Sequence, residues 1–321
     1  MNKWLSFIVP IYNAEQYLAE CVESMLNQDV PQEQYEIILL DDGSTDCSLE
    51  IAHSYAKQHN CIHIYSQTNA GVAATRNTGI AKASGDYIWF VDSDDKIAIN
   101  ILSTIYKQVT DNNLDLLVFN ASRFNEDREW AFTNIAEMPV TTGIQFYMNN
   151  NCNIEPWNKI FRRSLLVDNS LSFKFRLAED TELIPLCFFH ARRMKASCIN
   201  AYFNRTHDGS LTRSGNQELW SEFNLKCLQS HIDYMNSRSN PDFWMRVLVT
   251  DTRYVYWGMT NFPVNANFRK QILDQLGKIL RDTLKTLPVT FNTNYLILQS
   301  SARFPNLVMK SLCILRNLKN W

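Results

Sequence analysis

Residues 87–95 read Tyr87-Ile88-Trp89-Phe90-Val91-Asp92-Ser93-Asp94-Asp95. Five consecutive apolar residues suit a strand buried on both faces, as at the centre of a parallel sheet. The acids begin where the apolar run stops, so they stand at the carboxyl end of the strand, where open α/β sheets bind their ligands. Residues 92 and 94 point the same way in an extended chain. Two carboxylates on one side hold a hard cation and leave its other positions to water and diphosphate oxygens, the usual arrangement for Mg²⁺; Mn²⁺ accepts the same oxygen ligands. An isolated D-x-D is more often a solvated acidic turn. Its place after a buried strand, together with the other motifs, turns the reading towards a metal site.

Outward from this stretch, the first 120 residues alternate short apolar runs with helical patterns, which predicts a mostly parallel sheet flanked by helices, the α/β class. Strands are expected at Leu5 to Ile11, Tyr35 to Leu40, Cys61 to Tyr65, Asp86 to Val91 and Asp115 to Ala121. A first helix is expected to start from Asn13 as N-cap with Gln16 as its capping-box partner and to bury Leu18, Val22 and Met25. Further helices are expected near Ser48 to Gln58, Gly71 to Lys82 and Asn100 to Thr110. Residues 122–150 read as an irregular polar loop. From about residue 217 the pattern is helical and aromatic. The expected organisation is a catalytic domain over 1–215, divided into 1–120 for a nucleotide and 121–215 for an acceptor, followed by a helical region over 216–321.

Two other strand ends carry chemistry. Asp41-Asp42-Gly43-Ser44-Thr45-Asp46 follows Ile37-Ile38-Leu39-Leu40. Ser44, Thr45 and Asp46 are capping residues and need no further purpose, but two adjacent acids at the strand end are left over, and one can accept from the ring N–H of a base. Asn69 to Gly79 combines small residues, which permit close approach of a ligand, with Arg76, whose guanidinium can fork onto phosphate. A surface arginine on an alanine-rich helix is an equally good account of Arg76 taken alone.

The chain has 321 residues, 45% of them hydrophobic and 20% charged, with a formal charge of -2. That is ordinary globular usage, with no whole-chain attraction to nucleic acid. Its eight cysteines include no C-x-x-C pair and no zinc spacing, so they read as buried thiols in a reducing compartment, the cytoplasm. No uncharged apolar run approaches the ~18 residues needed to span a bilayer, and the N-terminus lacks the apolar core and cleavage site of a signal peptide.

Taken together, Ser6-Phe7-Ile8-Val9-Pro10-Ile11-Tyr12-Asn13 with Glu15, the D-D-G-S-T-D turn, the Asn69 to Gly79 segment and D-x-D-D resemble glycosyltransferase family 2, with its GT-A fold. The resemblance is strong over about 1–120 and weaker over 155–215. It implies a nucleoside diphosphate sugar donor, commonly a UDP-sugar, a metal cofactor (Mg²⁺ or Mn²⁺), and inversion at the anomeric carbon. Carried over, it puts Pro10, Tyr12 and Glu15 around the nucleoside and Asp42 on the base. Arg76 matches the donor-site arginine, Asp92 falls near ribose and metal, and Asp94 is a metal ligand.

Trp157-Asn158-Lys159-Ile160-Phe161-Arg162-Arg163-Ser164-Leu165 resembles a stretch of the bacterial polysaccharide members. Ala178-Glu179-Asp180-Thr181-Glu182 resembles the family's E-D segment, which makes Asp180 the implied general base, although acids in a first helical turn also complement the helix dipole. Tyr202 to Arg213 resembles the tyrosine-rich segment ending in G-S-x-T-R, from which Arg205, His207 or Arg213 can close on the diphosphate. The Q-x-x-R-W motif of processive synthases is missing, so a single transfer is expected.

Acceptors of the enzymes so resembled are saccharides or lipid-linked, which draws attention to Pro305 to Trp321, apolar with interspersed Lys310, Arg316 and Lys319, as a peripheral contact with the inner membrane face. A terminal helix packed on the protein accounts for the same residues. Two other functions compete. A nucleotidyltransferase normally needs a glycine-rich basic loop near its start, and residues 9–20 contain neither glycine nor a basic residue. A silent Ca²⁺-binding module needs a twelve-residue loop ending in glutamate, which D-D-G-S-T-D does not supply.

Overall fold

A computed structural model describes residues 3–150, 152–207, 217–236, 238–261, 265–285 and 293–303, with 305 and 308. By compactness the chain divides into two units, Met1–Arg176 with Leu186–Arg213, and Leu177–Pro185 with Ser214–Trp321.

The first unit is built on one mixed sheet. Its strands are β1 (Leu5–Ile11), β2 (Tyr35–Asp41), β3 (Ile62–Ser66), β4 (Tyr87–Phe90), β5 (Lys96–Ile97), β6 (Leu116–Phe124), β7 (Glu129–Ala131), β8 (Lys159–Arg162) and β9 (Met194–Arg205). The order is β3-β2-β1-β4-β8-β6-β9-β5, with β7 paired to β6. The first four strands of that order are parallel, and β6 pairs parallel with β9, whereas β8 runs antiparallel to both neighbours and β5 and β7 antiparallel to theirs. Every residue of β1, β2 and β4 is buried, including the polar Ser6, Glu36 and Asp41 among their apolar runs. Helices α1 (Leu18–Leu26), α2 (Ser48–Ala56), α3 (Val72–Lys82) and α4 (Leu102–Asp111) follow the strands in turn. Helix α3 can lie close on the sheet because Gly79 has no side chain: a Cβ there would meet the Ile8 Cγ2 at 2.3 Å.

Two expectations are corrected. Asn13 does not cap α1. It takes φ +51°, and its side-chain oxygen accepts from the Thr45 amide at 2.8 Å. With that side chain engaged by the loop after β2, residues 14–17 turn first and the helix begins at Leu18, although Leu18, Val22 and Met25 do form its buried face. Nor is 122–150 a plain loop. Strand β6 continues through Ser122-Arg123-Phe124 and pairs with β7, and α5 (Gly143–Asn149) is capped by Thr142. The polar side chains of this hairpin hide its alternation; Arg123 covers the Phe132 ring at 4.0 Å. The short α6 (Arg163–Val167) follows β8, and α7 spans Glu179–His190.

The second unit takes the start of α7 together with α8 (Gln217–Met235), α9 (Pro241–Asn261), α10 (Ala266–Leu284) and α11 (Thr293–Arg303). Cys227 and Leu228 of α8, Val247, Leu248 and Val255 of α9, Leu273, Leu276 and Leu280 of α10 and Leu298 of α11 are fully buried. Among the described residues no helix is long and apolar enough to cross a membrane, and every cysteine is a free thiol.

Candidate active site

The carboxyl ends of β1, β2 and β4 lie side by side because those strands are parallel neighbours. Pro10 is buried in β1, and Tyr12, just beyond it, is 53% exposed. The loop after β1 is laced to the loop after β2. The Asn13 amide donates to Ser44 Oγ at 3.1 Å, the Glu15 amide to Asp46 Oδ2 at 3.0 Å, and the Cys47 amide to Glu15 Oε2 at 2.9 Å. One Glu15 oxygen is thus engaged in holding the two loops together.

Asp42, buried at the end of β2, acts as a clamp. Its Oδ1 accepts from the Ala70 amide at 2.9 Å and from Gln67 Nε2 at 2.8 Å, and its Oδ2 from the Gly71 amide at 2.8 Å. Three of roughly four acceptor positions of a carboxylate are filled. Gly71 is the N-cap of α3 with φ +88°, a left-handed conformation that favours glycine. The Cγ of Arg176 lies 3.5 Å from where a Gly71 Cβ would stand, so this exposed arginine rests its stem on the loop that Asp42 holds.

Farther along α3, the buried Arg76 donates from Nη2 to Asp92 Oδ1 at 2.8 Å and lies over the Phe173 ring at 5.3 Å. Phe173 is fixed from the same helix: Asn77 Nδ2 donates to its carbonyl at 2.7 Å, and its amide donates to Asn77 Oδ1 at 2.9 Å. Burial removes water that would compete for the guanidinium, which favours a strong charge-assisted bond.

The three acids after β4 take different parts. Asp92 and Asp94 have side chains about a third exposed. Asp94 Oδ2 lies 2.9 Å from His207 Nε2, and the His207 ring packs on Tyr17. Burial and the neighbouring Asp92 charge push the Asp94 carboxyl up from the usual range, against the bond from His207. Asp95 is structural. Fully buried, it accepts from Tyr202 Oη at 2.7 Å, from Asn204 Nδ2 at 3.0 Å and from the Arg205 amide at 2.6 Å, so it fastens β9 beneath the acidic turn. Tyr202 Oη also accepts from the Asp92 amide at 3.0 Å. Arg205 donates from Nε to the Asp94 carbonyl at 2.8 Å and pairs with Glu20. Arg213 lies outside the described residues.

The W-N-K stretch is scaffold. Trp157 stacks on Tyr202 at 4.6 Å and its carbonyl accepts from Trp89 Nε1 at 2.7 Å, Asn158 Nδ2 donates to the Phe119 carbonyl at 3.2 Å, and the buried Lys159 donates to the Glu155 carbonyl at 2.6 Å. Sequence reading missed the roles of Tyr202, Phe173 and Arg176. The tyrosine was legible within its segment, whereas the other two carry no local signal.

Asp180 stands half-buried in the first turn of α7, between the buried Glu179 and Thr181, in the part of the chain that belongs to the second unit. The residue before the helix, Ala178, takes φ +56°, uncommon for a residue with a Cβ.

Among the described residues no three His, Cys, Asp or Glu side chains gather as a metal site. The pair Asp92 and Asp94 nevertheless fits a hard divalent cation. Both are partly exposed oxygen donors, each is held through one oxygen, Asp92 by Arg76 and Asp94 by His207, which leaves the other oxygen to a cation, and their mutual repulsion is relieved by added positive charge. Two carboxylates leave the remaining positions to substrate oxygens.

The sequence pattern of Glycosyl transferase family 2 matches residues 6–169. Glycosyltransferase GlyG of Streptococcus pneumoniae is 32% identical over 235 residues, covering 69% of this chain and 77% of GlyG. Glycosyltransferase GlyA of the same organism is 30% identical over 247 residues, 73% of this chain, but the chain spans only 34% of GlyA. Among solved structures, residues 1–349 of Staphylococcus aureus TarS in complex with UDP-GlcNAc superpose with a TM-score of 0.74 at 24% identity, over 89% of this chain and 82% of the other.

Proposed function

From the premise that the chain belongs to glycosyltransferase family 2 and is a glycosyltransferase, we propose that it moves one sugar from a UDP-sugar to a hydroxyl of a saccharide or lipid-linked acceptor, with inversion and without processive polymerisation. The observation that carries the reading is the presentation of Asp92 and Asp94 at the end of β4, with the buried Arg76 on one of them and the Asp42-held loop beside it. The UDP-GlcNAc held by the structurally similar TarS supports a uridine nucleotide donor.

In this reading Tyr12 and Asp42 flank the base, with Pro10 and Glu15 shaping the loop around the nucleoside, and Asp92 reaches the ribose. Asp180 takes the proton from the acceptor hydroxyl as that oxygen attacks the anomeric carbon opposite the diphosphate. The bond from that carbon to the diphosphate oxygen breaks, its electron pair leaves with the diphosphate, and a single displacement inverts the centre. Asp92 and Asp94 would hold a divalent cation, Mg²⁺ or Mn²⁺, which would supply charge that offsets the negative leaving group. Arg76 orients Asp92 for this task.

The experiment is UDP release from a panel of UDP-sugars with and without EDTA, alongside thermal shifts with UDP and Mn²⁺, since a ligand that binds only the native state raises its melting temperature. Release that is indifferent to the nucleotide sugar, or unchanged by EDTA, overturns the assignment. The free thiols support a cytoplasmic setting. The proposed contact of 305–321 with the inner membrane face lies outside the described residues save for 305 and 308. Flotation with anionic liposomes, compared with a chain ending at Ser301, tests it, and equal flotation of the two forms rejects it.

A further inference from the structure

The second unit contains a buried polar group that the proposed chemistry leaves unused. His231 of α8 is fully buried, with Nδ1 2.8 Å from Asp251 Oδ2 of α9 and Nε2 2.8 Å from the Glu182 backbone carbonyl of α7. Both ring nitrogens face acceptors, a carboxylate and a carbonyl, and a neutral imidazole can donate to only one of them. Burial alone would favour the neutral ring. The Asp251 charge outweighs it and holds the His231 pKa above its ordinary value, while burial pushes the Asp251 carboxyl up in turn; with an acceptor on each ring nitrogen, the geometry favours a ring that donates both ways.

Two further bonds run from the same helix to the same turn. Ser230 Oγ donates to Glu182 Oε1 at 2.9 Å, and the Cys227 thiol donates to the Ala178 carbonyl at 3.3 Å. Residues 227, 230 and 231 share one face of α8, because positions three and four apart are neighbours on a helix. That face grips residues 178 and 182, the two ends of the turn that carries Asp180. The turn needs an outside grip. It is entered through Ala178 in a left-handed conformation, and Pro185 lies inside the helix, where it cannot donate to the carbonyl four residues earlier, that of Thr181.

We infer that His231, paired with Asp251, is a positioning residue for transfer: it fixes the first turn of α7, and with it the direction of the Asp180 carboxylate. The inference rests on the reading of Asp180 as the base. It also gives a buried ion pair a task beyond stability, for which such pairs are weak devices.

The test uses the full chain and UDP release from a mixture of UDP-glucose, UDP-GlcNAc, UDP-galactose and UDP-GalNAc with Mn²⁺, water serving as acceptor. His231→Leu is expected to lower kcat about 10- to 100-fold with donor KM within about twofold, the pattern for a group that acts only on the chemical step. His231→Gln, which can still donate to the Glu182 carbonyl, is expected to recover kcat to within several-fold of the parent. A merely structural role predicts parental kcat in whatever fraction of His231→Leu is folded and no recovery by glutamine beyond the folded yield. Parental kcat in folded His231→Leu overturns the inference. If that variant does not fold, Asp251→Asn replaces it, and parental kcat there has the same meaning. Asp180→Asn is measured in parallel. Parental turnover in it removes the base assignment and this inference together, as does failure of the parent to release UDP from any of the four sugars; loss in Asp180→Asn with parental kcat in the His231 variants removes this inference alone.

Discussion

At the level of single residues, three adjacent-looking acids divide their work by burial. Asp94 is partly exposed and the proposed metal ligand, whereas Asp95 is a buried fastener, so their substitutions separate activity from stability. Asp94→Asn is expected to abolish transfer while the melting temperature stays within a few degrees of the parent, read by UDP release and thermal denaturation. Tyr202→Phe deletes one hydroxyl that both supports Asp95 and accepts from the Asp92 amide. It is expected to cost about 1–3 kcal/mol in denaturant titration, because two buried groups lose a partner. Asp180→Asn should lower kcat by roughly 10² to 10⁴ with donor affinity unchanged. The placement of Asp92, Asp94 and Asp42 at strand ends was legible from position alone, as acids following apolar runs. What the residue string did not carry was the division of labour: nothing in D-S-D-D distinguishes Asp95 from Asp94, since the difference lies in Tyr202, Asn204 and Arg205, more than a hundred residues away. Asp42 likewise shows in the structure a task that its sequence position concealed, that of holding the Ala70 and Gly71 amides.

Among the elements, the strands of the parallel half were readable to within a residue or so, β1, β2 and β4 because burial on both faces leaves a nearly continuous apolar signature, and the partly exposed edge strand β3 from its short β-branched and aromatic run. The start of α1 was not, because Asn13 and Gln16 satisfy the capping pattern locally while the loop after β2 takes the Asn13 side chain. A distant partner outcompeted a local rule. Within this half, Glu36 of β2 binds the sheet's entry: Oε1 accepts from Ser6 Oγ at 2.6 Å and the Ser84 amide at 2.7 Å, and Oε2 pairs with Lys3 at 3.0 Å. Burial alone would raise its pKa, but these donors outweigh burial and hold it at about 2, against an ordinary 4.5. A depressed carboxyl stabilises the fold above its unfolded pKa and ceases to do so as pH falls through the folded one. Glu36→Gln is therefore expected to cost about 3 kcal/mol near pH 7, with the difference from the parent shrinking as pH falls from 4.5 towards 2. Denaturant midpoints taken across that range check it; a difference that is flat with pH contradicts it. Gly79→Ala is expected to cost roughly 1–3 kcal/mol, because α3 must lift off Ile8 to admit the methyl.

For the molecule as a whole, Asp42, Arg76, Asp92 and Asp94 all belong to the first unit, and Asp180 to the second. A chain ending at Arg213 is thus expected to bind UDP with Mn²⁺ within about tenfold of the parent by calorimetry and to release none from UDP-sugars; loss of UDP binding would place donor recognition beyond the first unit. The helical character of the C-terminal region was readable from its periodicity. That residues 177–185 join it was not, because membership is decided by partners such as Ser230 and His231 that follow only after the sheet is complete. This discontinuity has a consequence for synthesis. The ribosome delivers the turn bearing Asp180 before α8 and α9 exist, and at about 5–20 residues per second the interval until Asp251 emerges is on the order of several seconds. Once residue 205 has been made the nascent chain carries every strand of its sheet, while the turn with the proposed base still waits for its holder. The proposed donor-holding residues therefore precede in synthesis the helices that hold the turn of the proposed base, so a chain stopped shortly after residue 213 carries that turn without its holder.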